Sequence, residues 1–338
     1  MYTPYDFRLN YLLKIIEKGN YRRILLQLPN GLKKYHKYIV DYLSEKHPGI
    51  EVYISLSPTY GACDIAEEHA RRIGADLIVH IGHNMYPWYK PKTNTVFIEA
   101  RYMYSLGENL LEKLVEQLNK RNCRNIGILA VIQHAHNVLE LKGLLSSKGF
   151  NPIVGIPKYN VMVDGQVLGC EYSAATRIAD KVDCFTIISG GMFHALGVFL
   201  ATRKPVLKID PYENKIIDIT GEGRKLLMKR YGVIMKALDM QSLGIINGGK
   251  PGQYRPWLVD IIVRKAQRKN IRTYLFIADE LNRSVLRNID IPEIDAYTVV
   301  SCPRLPIDDL YGYEKPVLTP GEALMVLDNN LSNYLFPW

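Results

Sequence analysis

The sequence predicts an α/β fold: three similar doubly wound parallel-sheet domains arranged about a pseudo-threefold axis. Helical stretches alternate with short apolar strands along the whole chain, a pattern that builds parallel sheets through right-handed crossovers. One strand type, opened by an aspartate, recurs as ADLIVHIGH, VDCFTIISG and IDAYTVVSC, which places Asp76, Asp183 and Asp295 at intervals of 107 and 112 residues. Two glycine-flanked cysteines also repeat: Cys63 precedes Asp76 by 13 residues, and Cys170 precedes Asp183 by 13.

Each copy opens with a helix that leads into a strand. The predicted pairs are 7–18 into 23–28, 106–121 into 125–132, and 223–240 into 243–247. Leu110, Leu111, Leu114 and Leu118 recur at three- and four-residue spacing, which gives the second of these helices one apolar face. The strands are continuous apolar runs, as expected where helices cover both faces of a parallel sheet. After a loop and a helix come second strands at 52–56, 152–156 and 273–278. The aspartate-marked strand follows, then a short one at 95–99, 205–209 and 316–318, where RKPVLKID and EKPVLTPG are visibly alike. Units of 1–104, 105–220 and 221–338 account for the chain, each of ordinary domain size. No low-complexity linker separates them, so they are expected to pack together.

At 338 residues the chain is long for one core. An apolar fraction of 47% and a charged fraction of 23% are ordinary for a soluble globular protein. No apolar run reaches the ~18 residues of a membrane span, and MYTPYDFRLNYLLKIIEKGNYRR lacks a signal peptide's apolar core and cleavage site. A cytoplasmic location without a membrane partner is expected. The formal charge of +9 suits an anionic partner, yet the basic residues are dispersed and no nucleic-acid motif accompanies them. Direct nucleic-acid binding is not expected.

Five scattered cysteines do not make a disulfide framework, so they are expected as free thiols, metal ligands or catalytic groups. In parallel α/β sheets function collects beyond the carboxyl ends of the strands. Cys63 and Cys170 fall there, each just before a helix whose positive N-terminus is expected to favour thiolate. The third copy carries DELNRS (279–284) in that loop; its cysteine, Cys302, ends the aspartate-marked strand instead, in line with His83 and Gly190. Each copy therefore offers one cysteine to the same rim. Cys123, in the exposed-looking turn RNCRN, and Cys184, inside a strand, are expected to be structural. Three thiolates with no fourth protein ligand and no CxxC pair argue against structural zinc. They suit a 4Fe–4S cluster with one iron open to substrate.

Three other segments read as structural. QHAH (133–136) lacks a third ligand and is expected to hold loop histidines. Asp308 and Asp309 are expected to cap a helix. KPGQYRP lacks the full phosphate-loop pattern, so ATP is not expected there.

PTYGACD (58–64), HIGHN (80–84), QVLGCEY (166–172), SGGMFHALG (189–197), DPY (210–212), KPGQ (250–253), SCPRLPIDD (301–309) and KPVLTPGE (315–322) occur in order across the chain. Together they resemble the diphthamide synthase family, with local departures at Asn84, where serine is usual, and Gly321, where a bulkier residue is usual. The resemblance implies a 4Fe–4S cluster on Cys63, Cys170 and Cys302, with S-adenosylmethionine as co-substrate on the fourth iron. It implies reductive cleavage to a 3-amino-3-carboxypropyl group, transfer to imidazole C2 of a histidine on elongation factor 2, and release of methylthioadenosine. An electron donor and a homodimer are implied partners. Near such a cluster, Gly61, Gly190, Gly191, Gly248 and Gly249 would allow close backbone approach to the co-substrate. Gln27, Asp64, His194, Gln253 and Arg283 are its candidate polar contacts. Two alternatives stay open: a quinolinate synthase-like enzyme, also built on three repeats and a three-cysteine cluster, and a supporting iron–sulfur subunit without catalysis of its own.

Overall fold

A computed structural model describes residues 3–338. Three separate sheets share one strand order, in which the second strand of each unit lies outside the first and the third and fourth extend the other edge. The first sheet runs Glu51–Ile54, Arg23–Gln27, Leu77–Ile81, Thr95–Ile98, all parallel. The second runs Asn151–Val154, Asn125–Ala130, Cys184–Ile188, Val206–Asp210. The third runs Arg272–Ala278, Ser242–Gly248, Ala296–Val300, Val317–Leu318. The strand predicted to reach residue 132 stops at Ala130, because Ile132–Asn137 winds into a 3-10 helix.

The second sheet has a fifth, antiparallel edge strand, Lys215–Asp218, that the repeat pattern does not contain. It is the return arm of a hairpin that pairs Asp210 with Lys215 and turns through Asn214 at φ 53°, a left-handed conformation that asparagine tolerates.

Apolar periodicity explains the layers. Helix Glu108–Lys120 buries the four leucines of its face, and Leu77–Ile81, Cys184–Ile188 and Ala296–Val300 are buried along their whole length. Each fully buried leucine or isoleucine contributes roughly 1.5–3 kcal/mol relative to exposure. One continuous core joins the second and third units, with Phe185 and Phe199 packed in the same cluster as Ile245, Ile262 and Met325. The first unit closes a core of its own around Leu12, Ile16, Ile24 and Val79.

The repeated aspartates have one shared task. Asp76 accepts the backbone N–H of Arg22 at 2.8 Å and also that of Arg23. Asp183 accepts those of Arg124 and Asn125 at 2.8 and 2.7 Å. Asp295 accepts those of Gln241 and Ser242 at 2.8 and 2.9 Å. In each unit the carboxylate before the third strand ties down the amides that begin the first strand.

Three expectations are corrected. Cys123 is not exposed: it is 2% accessible and disulfide-bonded to Cys184, with the Cα atoms 6.0 Å apart. Asn122, at φ 53°, turns the chain at the end of helix Glu108–Lys120 and sends Cys123 under the sheet. His134 is fully buried rather than a loop histidine. Its ring lies between Tyr102 and Tyr212 at 5.7 and 5.4 Å, and burial holds its pKa down at about 4. Asp308 caps nothing: it pairs with Arg304 at 3.3 Å within the π-helical turn Leu305–Asp309. The residue before that turn is already helical (φ −62°, ψ −35°), so no extended capping position exists. Among the described residues, no helix is long and apolar enough to cross a membrane.

Candidate metal centre

The carboxyl-end loops of all three sheets meet, and they bring one cysteine each. Cys63 lies in the loop between Glu51–Ile54 and helix Glu67–Ile73. Cys170 lies on the long loop after Asn151–Val154, just before the short helix Ser173–Thr176. Cys302 stands two residues beyond Ala296–Val300.

Arg255 connects them. Its guanidinium donates to Tyr86 Oη at 2.7 Å, and that hydroxyl lies 3.3 Å from Cys170 Sγ. It also donates to the carbonyl of Ser301, beside Cys302, at 2.9 Å, and to that of Gln253 at 3.4 Å. Gln253 in turn points Nε2 at Cys63 Sγ, 3.4 Å away. The three cysteines are partly accessible, and no disulfide joins them.

Burial disfavours a bare thiolate at all three. It raises the Cys63 thiol and pushes Cys170 and Cys302 up to about 12, and the neighbouring cysteines add to the rise at the latter two. The expectation that a helix N-terminus would favour thiolate is corrected. The helices that follow have only seven and four residues, and desolvation outweighs them. A cationic group bound between the sulfurs reverses the balance, since metal coordination deprotonates thiols.

The loop from Gly248 to Arg255 braces Cys63 from the third unit. Gly252 donates its N–H to the Cys63 carbonyl at 2.9 Å, and a Cβ on Gly252 would fall 2.5 Å from Cys63 Cα. Only glycine lets the two backbones lie this close. Lys250 bridges Asp64 at 2.8 Å and Glu280 at 2.7 Å, which ties the same loops by charge. In the sequence this segment reads as the motif KPGQ, with Gln253 a candidate contact of the co-substrate; nothing in its spacing points to a cysteine 190 positions away.

Behind Cys63 runs a buried polar chain. Gln27 donates Nε2–H to the Asp64 carbonyl at 2.6 Å and accepts the Ala66 N–H on Oε1 at 3.2 Å, so both ends of its amide are assigned. His80 Nδ1 lies 3.0 Å from the same Oε1 and must donate to it. His80 Nε2 therefore accepts from His83 Nδ1, also at 3.0 Å, which leaves the lone pair of a neutral His83 on Nε2. Burial keeps both rings neutral. It lowers His80 well below the ordinary range and, with His194 adding repulsion, takes His83 down to about 4.

The other predicted residues are placed as follows. His194, in the first turn of helix Met192–Thr202, is held at about 4 by burial and by the charge of Arg304. Gly191 caps that helix and leaves open space where a Cβ would stand, whereas Gly190 is covered by the Tyr212 ring. Gly61 faces Cys63 Sγ, while Gly248 packs on Ser301 and Gly249 on Asp279. Arg283 turns its guanidinium to the Tyr311 carbonyl rather than to a cysteine loop. Asn84 exchanges amide hydrogen bonds with Gln166 at 2.7 and 2.9 Å, joining the first and second units. Gly321 leaves room for the Leu335 carbonyl.

A cavity of about 180 Å³ opens beside Cys170, walled by Trp88, Tyr159 and Tyr172 and by Phe336–Trp338. A larger hollow of about 300 Å³ near Lys33 and His36 contains none of the predicted site residues. Among the described residues, no three His, Cys, Asp or Glu side chains converge on one ion position. Soft thiols such as those of Cys63, Cys170 and Cys302 are the donor type that iron–sulfur groups take.

Residues 28–335 match the family model described as "Putative diphthamide synthesis protein". The chain is 34% identical over 316 residues to the 2-(3-amino-3-carboxypropyl)histidine synthase of Pyrococcus horikoshii, covering 94% of this chain and 89% of that one. It is 27% identical over 342 residues to the enzyme of the same name from Methanocaldococcus jannaschii, covering 97% and 92%. Its fold matches the crystal structure of Dph2 from Pyrococcus horikoshii with a 4Fe–4S cluster at a TM-score of 0.85 and 32% identity, over 98% of this chain and 93% of the other.

Proposed function

The chain belongs to the diphthamide synthesis protein family, and on that footing we propose that it is a 3-amino-3-carboxypropyl transferase acting on a histidine of elongation factor 2. The co-substrate is S-adenosylmethionine, the acceptor atom is imidazole C2, and methylthioadenosine is the co-product. The observation that carries this is that Arg255 and its partners link the loops of Cys63, Cys170 and Cys302, one from each sheet. In this reading those thiolates hold a 4Fe–4S cluster whose fourth iron is free for the co-substrate. When bound and reduced, the cluster supplies the electron that breaks the bond from the sulfonium sulfur to the γ-carbon.

The chain's own residues position and shield. Gly252 and Lys250 fix the Cys63 loop from the third unit, and Gln27 fixes it from the first. The exposed, uncovered face of Gly191 gives the co-substrate room at the start of a helix. His83, held neutral by burial, keeps its Nε2 lone pair as a hydrogen-bond acceptor. The protein is expected to act as a homodimer in the cytoplasm, with a separate electron donor.

Anaerobic reconstitution with iron and sulfide, followed by reduction with S-adenosylmethionine present, tests the reading. Methylthioadenosine is the expected product. Release of 5′-deoxyadenosine would overturn the assigned bond cleavage, and quinolinate formation from its precursors would favour the alternative enzyme class. Replacing Cys63, Cys170 or Cys302 with alanine should each abolish cluster assembly. Full iron in any one variant would remove that cysteine from the ligand set.

A further inference from the structure

Two arginines are almost completely buried, and they are neutralised differently. Arg230, 1% accessible, forms a bidentate pair with Glu322 at 2.8 and 2.5 Å. Arg255, 4% accessible, has no carboxylate partner among the described residues. Its hydrogen-bond acceptors are two backbone carbonyls and the Tyr86 hydroxyl. Its guanidinium stacks near the rings of Trp338 at 4.5 Å and Trp88 at 5.5 Å. Aromatic faces and dipoles offset only part of the cost of a buried charge, which ordinarily needs a paired anion. The hydrogen-bond partners of Arg255 lead instead to the three cysteine loops: Tyr86 Oη lies 3.3 Å from Cys170 Sγ, Gln253 points its amide at Cys63 Sγ, and Ser301 directly precedes Cys302.

We propose that Arg255 is the built-in counter-charge of the iron–sulfur cluster, a positioning residue that favours the reduced state and so sets the reduction potential. The proposal rests on the reading that Cys63, Cys170 and Cys302 hold a 4Fe–4S cluster. Three thiolates on an oxidised core leave a net negative charge, and one-electron reduction adds another. A fixed cation favours the more negative state. The aromatic faces of Trp88 and Trp338 shield that cation from water, so its field is screened less than on a surface.

The test is an EPR-monitored redox titration of the reconstituted full chain as wild type, Arg255→Lys and Arg255→Gln, with iron content and circular dichroism measured on each. An opposite charge within about 4–6 Å shifts a protonation equilibrium tenfold or more, and a similar effect is expected on this electron equilibrium. Arg255→Gln should lower the reduction equilibrium constant at least tenfold, about 59 mV for one electron, while Arg255→Lys stays near wild type. A folded Gln variant without a cluster, beside a Lys variant with one, would equally support the charge. Loss of the cluster in both, or an unchanged potential in Gln, would overturn the proposal. An unchanged potential with weakened S-adenosylmethionine binding would assign the charge to the co-substrate carboxylate instead. Arg255→Met serves as a second neutral variant, and failure of both neutral variants to fold would make Arg255 purely structural and end the proposal. A wild-type chain that assembles no cluster at all would defeat the cluster reading itself, which the iron count distinguishes.

Discussion

The carboxylate of Asp183 accepts the backbone N–H of Asn125 at 2.7 Å across 58 positions of sequence. Asp76 and Asp295 make the matching contacts in the other two units. A residue that marks the repeat in the sequence is thus a fastener of the repeat in space.

Asp183→Ala should destabilise the chain by about 1 kcal/mol, below the range for buried hydrogen bonds to a charged acceptor because the site is exposed. The donors from Asn125 and Arg124 hold the Asp183 carboxyl below its ordinary range. Its contribution is therefore complete above the unfolded carboxyl pKa of about 3.9 and is lost as pH falls through the lower folded value. Denaturant unfolding of wild type and Asp183→Ala at pH 7 and near pH 3 should show the difference shrinking in acid. A difference that grows in acid would contradict the assignment.

Glu322 is fully buried, pairs with Arg230, accepts the Tyr334 hydroxyl at 2.6 Å and closes a capping box with Thr319. Glu322→Gln leaves Arg230 buried without a counter-charge, which costs about 3–5 kcal/mol. Chemical denaturation should show a loss of that size. A loss under about 1 kcal/mol would mean that water reaches the pair.

The threefold succession of helices and strands and the placement of Cys63, Cys170 and Cys302 in loops beyond strand ends were legible because both follow from local pattern: continuous apolar runs, helical periodicity and a marker aspartate repeated three times. Arg255, Lys250 and Tyr86 were not. Each acquires its meaning from a loop of another unit, as when Arg255 meets Tyr86 across 169 positions, and no periodicity encodes such a meeting. Cys123 looked exposed because its neighbours in RNCRN are polar, but the left-handed turn at Asn122 reverses its direction. Gln27 was legible as a polar residue at a strand end. Its actual partners, Asp64, Ala66 and His80, show a residue committed to holding the Cys63 loop.

Cys123 and Cys184 should be invisible to thiol reagents until reduced. In denaturant without reductant, the cluster-free chain should expose three titratable thiols, and with reductant all five. Five thiols in the unreduced sample would show that the pair is not joined.

Gly252→Ala should leave the chain folded but push Cys63 off position, since the new methyl would stand 2.5 Å from Cys63 Cα. Overpacking of this kind costs about 1–3 kcal/mol. Iron per chain after reconstitution should fall well below wild type while circular dichroism stays native. Full iron retention would show that the Cys63 loop can shift without consequence for the cluster.

The central claim concerns which carbon leaves S-adenosylmethionine and where it goes. Reduced, reconstituted enzyme is incubated with elongation factor 2 and co-substrate labelled either at the methionine carboxyl carbon or at the methyl group, and protein-bound label is counted. Carboxyl label should appear on the factor, methyl label should not, and replacing the acceptor histidine should abolish the transfer. Methyl label on the factor, or carboxyl label that persists without that histidine, would contradict the account.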